Sequence, residues 1–182
     1  SSLQESDCLL LLLSGGGSSL LSAPSGVTLE EKIAVSNSLM RAGADIFELN
    51  SVRKNLSRIK GGRLAAATKA RILNLAISDV PGDDLGTIAS GVSAPNTSTY
   101  EDALEVLDKY DISAPSARRH LLKGVRGENA TSPGPHDSVW ERVESRVVGS
   151  NSLLLRAAKD FWTGLGYKAI ILSDRFEGEA RD

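Results

Sequence analysis

Residues Leu9–Leu13 form an unbroken leucine run that stops at Ser14 and passes directly into Gly15-Gly16-Gly17-Ser18. A short continuous apolar run suits a strand buried on both faces, as in a parallel sheet. It is too short for a membrane span, which needs about 20 apolar residues. The acidic "SSLQESD" ahead of it is also the wrong flank for a secretory signal. The same grammar recurs twice: "RILNLAIS" (Arg71–Ser78) enters "DVPGDD", and "YKAIILS" (Tyr167–Ser173) enters "DRFEGE". Three strands are predicted, with Ser14, Ser78 and Ser173 at one edge of the sheet.

Helical patterns lie between these runs. Thr28 with Glu31, Asp45 with Glu48, and Thr99 with Asp102 each place a capping residue three positions before a carboxylate. Ser150 is positioned to cap a further helix from about Asn151 to Thr163. Strands alternating with helices predict an open, largely parallel α/β sheet with helices on both faces, Rossmann-like. A length of 182 residues fits one domain. The stretch Gly124–Ser138, "GVRGENATSPGPHDS", reads as an exposed loop.

Charge and composition exclude several functions. Twenty-one basic residues against 23 acidic ones leave a net charge of −2, so no general field attracts nucleic acid or an anionic membrane. Cys8 is the only cysteine, which excludes an internal disulfide and any zinc site built from cysteine pairs, and it fits a reducing cytoplasm. His120 and His136 are the only histidines, form no ligand cluster, and are expected at the surface. Neither GxxxxGK[ST] nor a strand-following GxGxxG is present. Any anionic ligand must therefore be held by a local site.

Ligands of open α/β sheets bind beyond the carboxyl ends of the strands. Gly15, Gly16, Gly17 and Ser18 occupy such an end, where glycines let backbone N–H groups approach a phosphate or carboxylate closely. A plain tight turn explains a lone GGGS equally well. In "NSVRKNLSRIKGGRLA", Asn50, Arg53, Lys54 and Ser57 share one side of a helix, and Lys60 leads into the flexible pair Gly61-Gly62. This side is either an anion-facing surface or a solvated basic face. After Ser78, the turn offers Asp79, Asp83 and Asp84, carboxylates suited to Mg²⁺ or to accepting a hydroxyl proton, or simply to capping. Asp174, Glu177 and Glu179 at the chain end read as caps or ligands alike.

Five segments taken together, "LLLSGGGSSLL", "NSVRKNLSRIKGGRLA", "ISDVPGDDLGTIASG", "VVGSN" and "LGYKAIILSDRFEGEAR", resemble the bacterial and archaeal glycerate 2-kinases whose C-terminal part is the MOFRL domain. Many members of that family carry a hydroxypyruvate reductase label. The resemblance spans Asp7–Arg181. It implies transfer of the γ-phosphoryl group of ATP, with Mg²⁺, to the 2-hydroxyl of D-glycerate in the cytoplasm, in a cleft between two α/β domains. Carried over by position, it places Gly15–Ser18, Arg53, Lys54 and Lys60–Gly62 on anionic groups and the acidic turn Asp79–Asp84 on the hydroxyl or the metal, without saying which Asp does which; from its place at the strand end Asp79 is expected to be the base, with Asp83 for the metal. Val92 and Ser93 stand where the family usually has Pro-Thr, and Ser19 where Ala is commoner. The chain also lacks an initiator Met, the family's lysine-bearing N-terminal segment and the C-terminal domain. It is expected to be the central part of a longer chain, inactive alone, with an exposed sheet edge prone to self-association. A reductase, or an anion-binding domain without turnover, are the alternative readings.

Overall fold

The computed structural model describes residues 3–175. In chain order its elements are β1 (Cys8–Leu13), α1 (Gly17–Leu20), α2 (Leu29–Arg41), α3 (Ile46–Asn55), α4 (Arg63–Ala66), β2 (Arg71–Ile77), α5 (Tyr100–Lys109), α6 (Pro115–Val125), β3 (Val143–Gly149) and α7 (Asn151–Gly164). Two 3₁₀ turns, Ile88–Ser90 and Ser138–Arg142, precede α5 and β3. The expected helix starts are all present. Thr28, Asp45 and Thr99 form reciprocal capping boxes with Glu31, Glu48 and Asp102, satisfying two N–H groups each at Thr28 and Thr99 and three at Asp45 that would otherwise lack partners. The Ser150 side chain accepts from the Leu153 N–H at 3.3 Å.

The sheet is open and parallel, in the order β1-β2-β3, with Leu13 opposite Ala76 and Ile72 opposite Val143. Ser14 and Ser78 therefore leave from the same edge, as expected. The third strand is not the expected one. Val143–Gly149 pairs with β2, whereas 167–173 forms no strand. The third serine at the strand-end edge is Ser150 in place of Ser173. Like β1, β3 lies at an edge of this sheet. Edge strands carry charge readily, and Glu144 of β3 bonds Arg71 of β2 and Arg146 of β3 itself, so "VESRVVG" lacks the continuous apolar run that marked the others.

The largest core lies between helices. Val35 and Leu39 of α2, Leu49 and Val52 of α3, Ala103 and Leu107 of α5, and Ala117 and Leu121 of α6 pack together with Leu56, Tyr100, Ile112 and Ala114. Two smaller clusters cover one face of the sheet. Leu13 and Ala76 meet Ile88, Ala89 and Val92, while Ile72 meets Ala65 and Val139. On the opposite face Leu10 and Leu12 stay 54% and 68% exposed, so β1 is not buried on both faces as its composition suggested. Helix α7 contributes no buried residue. No helix among the described residues is long and apolar enough to cross a membrane.

His120 differs from expectation. It is buried within α6, stands edge-to-face with Tyr100 at 6.2 Å between ring centroids, and a Cβ on Gly26 would collide with its ring. Helix α6 runs two residues into the segment 124–138. The rest of that segment is tied down at Ala130, whose carbonyl accepts from Tyr100 Oη at 2.7 Å, and at Gly134, whose carbonyl accepts from Trp140 Nε1 at 2.6 Å. Glu177 and Glu179 lie outside the described residues.

Leu107 is wholly enclosed among the helices. Leu107→Ala should cost about 2–5 kcal/mol of unfolding free energy in urea titration. Leu154→Ala, at a side chain 67% exposed, should stay within about 0.5 kcal/mol of the parent.

Candidate functional site

The glycine loop leaves β1 at the strand-end edge. Ser14 O accepts from the Gly17 N–H at 3.1 Å, and the N–H groups of Gly15 and Gly16 find no acceptor among the described residues. The two glycines are required for different reasons. A Cβ on Gly15 would sit 2.4 Å from Asp79 Oδ2, so only glycine admits the Asp79 carboxylate so close to the backbone. Gly16 has φ +78°, the left-handed region, where a Cβ is strained. The helix that follows is only four residues long, so free loop amides rather than a helix dipole make this end attractive to an anion.

Behind the loop lies Lys60, 1% exposed. Its ammonium donates to Ser18 O at 2.7 Å, to Ser18 Oγ at 3.1 Å and to Ala89 O at 3.5 Å. Three donors with three oxygen acceptors satisfy the ammonium without a carboxylate. Lys60 therefore ties the glycine loop to a second backbone feature, the run Ala89-Ser90-Gly91, whose φ values are +51°, +57° and +65°. Left-handed backbone costs a non-glycine residue roughly 1–2 kcal/mol, so Ala89 and Ser90 must be held there by their surroundings. Gly61 N–H donates to Ser90 O at 3.1 Å and Gly62 N–H to Gly91 O at 2.7 Å. Ser90 Oγ donates to Asn50 Oδ1 at 3.0 Å and also meets Ser18 Oγ.

These contacts place most of the expected residues in one region. A cleft of ≈ 300 Å³ is lined by Ser14, Gly15–Ser18, Asn50, Arg53, Asp79, Thr87 and Ala89. Lys60, Gly61 and Gly62 form the framework behind it. Lys54 does not line the cleft, and its charge lies in reach of Asp84 instead. Asp83, with φ +59°, lines a neighbouring cavity of ≈ 400 Å³ together with Ser78, Asp79, Asn151, Arg156, Asp174 and Arg175. Asp79 belongs to both cavities. Asp174 arrives there although no strand carries it, its carbonyl accepting from Asn151 Nδ2 at 3.0 Å. The Ser78 hydroxyl is engaged with the Val80 N–H and C=O, and Asp84 caps its own turn through Gly86 and Thr87. Ser90 and Lys32 were not singled out from sequence. A serine in a glycine-flanked stretch and a lysine on a helix carry no local signal of burial.

Burial governs the electrostatics. It pushes the Arg53 guanidinium and the Lys54 ammonium below their ordinary values. Lys60 is brought down to about 7 by burial, with Arg53 and Lys32 adding like-charge repulsion. Lys32 is brought down to about 8 by burial, then by Arg53 and Arg63. The ordinary lysine value, 10.5, returns on unfolding. Across the interval from about pH 7 to 10.5 the unfolded chain thus holds more protons than the folded one, and stability rises with pH there. The cost of the buried charges is complete below that interval and absent above it. Lys32→Met removes one of these costs, so its stability advantage over the parent should shrink as the pH of a chemical denaturation series rises from about 7 to about 10.

Comparison with known proteins places this geometry in a family. Residues 1–123 match the family model described as Domain of unknown function (DUF4147). The chain is 43% identical over 178 residues to an Agrobacterium vitis protein with a hydroxypyruvate reductase name, an alignment covering 97% of this chain and 44% of that protein. It is 39% identical over 186 residues to the glycerate 2-kinase of Pyrococcus horikoshii, covering 98% of this chain and 41% of that one. The crystal structure of glycerate kinase from Thermotoga maritima superimposes with a TM-score of 0.82 at 40% identity, covering 94% of this chain and 40% of its own. The chain thus spans about two fifths of the length of these relatives. Matched by the family model over more than half its residues, the chain belongs to the DUF4147 family and is a homologue of the glycerate 2-kinases.

Proposed function

We propose that the whole protein is a glycerate 2-kinase that transfers the γ-phosphoryl group of ATP to the 2-hydroxyl of D-glycerate, giving 2-phosphoglycerate, in the cytoplasm. The observation that carries this reading is the convergence of unpaired loop amides, the Arg53 guanidinium and the Asp79 carboxylate on one strand-end cleft. Phosphoryl transfer depends on positioning and on neutralising charge, and these groups are suited to both. Gly15 and Gly16 donate N–H groups to an oxyanion. Arg53 supplies a fixed positive charge beside them, and Lys54 adds to the field from the next position on α3. Asp79, held against the Gly15 backbone, accepts the proton of the attacking hydroxyl. Lys60, Gly61 and Gly62 position the loop, and Ser78 shapes the turn that carries Asp79.

No group of three or more His, Cys, Asp or Glu side chains among the described residues could hold a metal ion by itself. Mg²⁺ is usually held by one or two carboxylates together with substrate phosphates. Asp83, beside Asp79, is the residue we assign to it. Bound Mg²⁺ would neutralise phosphate charge. On this reading residues 1–182 act as one α/β domain, and the segment 124–138 takes no part in the transfer. The exposed Leu10 and Leu12 face favours self-association of the chain by itself. The reductase name of the Agrobacterium relative motivates a second reading, in which NADH oxidation with hydroxypyruvate replaces ADP release.

The test is coupled ADP release from MgATP and D-glycerate by the whole protein. Arg53→Ala should weaken an anionic ligand by about 1.5–3 kcal/mol, roughly tenfold or more in KM, as expected for a charge-assisted hydrogen bond. Arg58→Ala, at an exposed position of the same basic stretch, should leave KM unchanged, and equal losses at both would reduce the basic face to a solvated one. Asp79→Asn should lower kcat by roughly 10²–10⁴ with little change in nucleotide affinity.

A further inference from the structure

Lys32 is a buried ammonium with nothing to bind. It lies one turn into α2, on the face that carries Val35 and Leu39 into the helical core, and is only 5% exposed. Its Nζ is enclosed and has no hydrogen-bond partner among the described residues. Lysines near a surface normally extend their stems and keep the charge in water, and burying an unpaired charge is among the costlier things a fold can do. The neighbouring charges make the arrangement worse. Arg53 and Arg63 repel Lys32, and Arg53 and Lys32 both repel Lys60. Ion pairs among the described residues join Arg71 and Arg146 to Glu144, Lys109 to Glu48, and Arg118 to Asp108, and none reaches these four cations.

The four cations are not equally satisfied. Lys60 is saturated by Ser18 and Ala89, and Arg63 donates to the Lys54 carbonyl at 2.7 Å and to Tyr100 Oη at 3.1 Å. Of the four, Lys32 and Arg53 have no acceptor among the described residues. A second buried atom without a partner, Ser51 Oγ, lies on α3, the helix that carries Arg53 and packs against α2. Arg53 lines the glycine-loop cleft, and Lys32, enclosed and outside that lining, lies within electrostatic reach of Arg53 and Lys60.

We propose that Lys32 is an anion-binding residue, its ammonium and the Arg53 guanidinium together holding one oxyanion group, a carboxylate or a phosphoryl oxygen, of a ligand seated in the cleft. Only the identity of that ligand rests on the kinase reading above. The glycine-loop amides would then meet a second anionic group, so the cleft would distinguish a ligand carrying two anions from one carrying a single anion.

The test begins with the unmodified whole protein, following the pH titration of the Lys32 side chain by NMR in the presence of inorganic phosphate, D-glycerate or a non-hydrolysable ATP analogue. At least one probe should raise the titration midpoint by a pH unit or more. By calorimetry, Lys32→Met should weaken that same probe at least tenfold while leaving the ligand-free melting temperature unchanged or higher, and Lys32→Arg should retain affinity within a few-fold. A response to D-glycerate alone assigns the site to a carboxylate, whereas a response to phosphate and the nucleotide assigns it to a phosphoryl group. If no probe moves the Lys32 midpoint, or if a folded Lys32→Met binds all three as tightly as the parent, the proposal is wrong. The midpoint measurement decides the matter should Lys32→Met fail to fold. Phosphate binding requires no turnover, so absence of ADP release with an intact phosphate response would reject the kinase reading and leave the anion site standing.

Discussion

The Lys60 ammonium holds the candidate site together. It is enclosed beneath the glycine loop and joins that loop to the left-handed run at Ala89 and Ser90 through three oxygen acceptors. A charge in the interior is tolerated only when its hydrogen bonds are made, and here they are made to two backbone carbonyls and a hydroxyl. Those carbonyls can face one ammonium only if the loop after β1 and the turn before α5 keep their present shapes. The energetic demand of one buried charge thus becomes a geometric restraint on two loops far apart in sequence. Gly61 and Gly62 extend the same restraint, since their N–H groups are bound to the carbonyls of Ser90 and Gly91.

A consequence is that the site sits where separate packing units meet. Helices α2, α3, α5 and α6 share a core of their own, and α3 delivers Asn50 and Arg53 from it. The sheet delivers the glycine loop and Asp79 from its strand ends, backed by the cluster of Leu13, Ala76 and Ile88. Ser90 stands between them, bonded to Asn50 on one side and Ser18 on the other. Function at such a junction depends on both units keeping their relative placement, because charge-assisted bonds lose strength quickly as geometry degrades.

Much of the architecture was legible because it depends on local chemistry. Thr28, Asp45 and Thr99 announce their helices through side chains that satisfy N–H groups three residues on, and the strands ending before Ser14 and Ser78 show as apolar stretches that stop at polar turns. Where local chemistry was ambiguous, the reading failed. Tyr167–Ser173 has the composition of a buried strand yet pairs with nothing among the described residues, while Val143–Gly149, interrupted by Glu144 and Arg146, occupies the edge of the sheet. Pairing is decided by the partner strand, which no window of sequence contains. His120 illustrates the same point, since its burial follows from Gly26 and Tyr100, distant residues that leave it no exit.

For the candidate site, the sequence by itself determined the chemical inventory: glycines where a backbone must approach an anion, cations along one side of α3, and a carboxylate at the end of β2. These follow from residue type and spacing, which are local properties. Tertiary structure alone decided which members of that inventory meet. It brought Arg53 and Asp79 to the glycine loop, left Lys54 beside Asp84, sent Asp83 to an adjoining cavity, and buried Lys32 and Lys60 in the interior. Burial and long-range hydrogen bonding are properties of the packed chain, and they set whether a lysine is a solvated charge or an enclosed one.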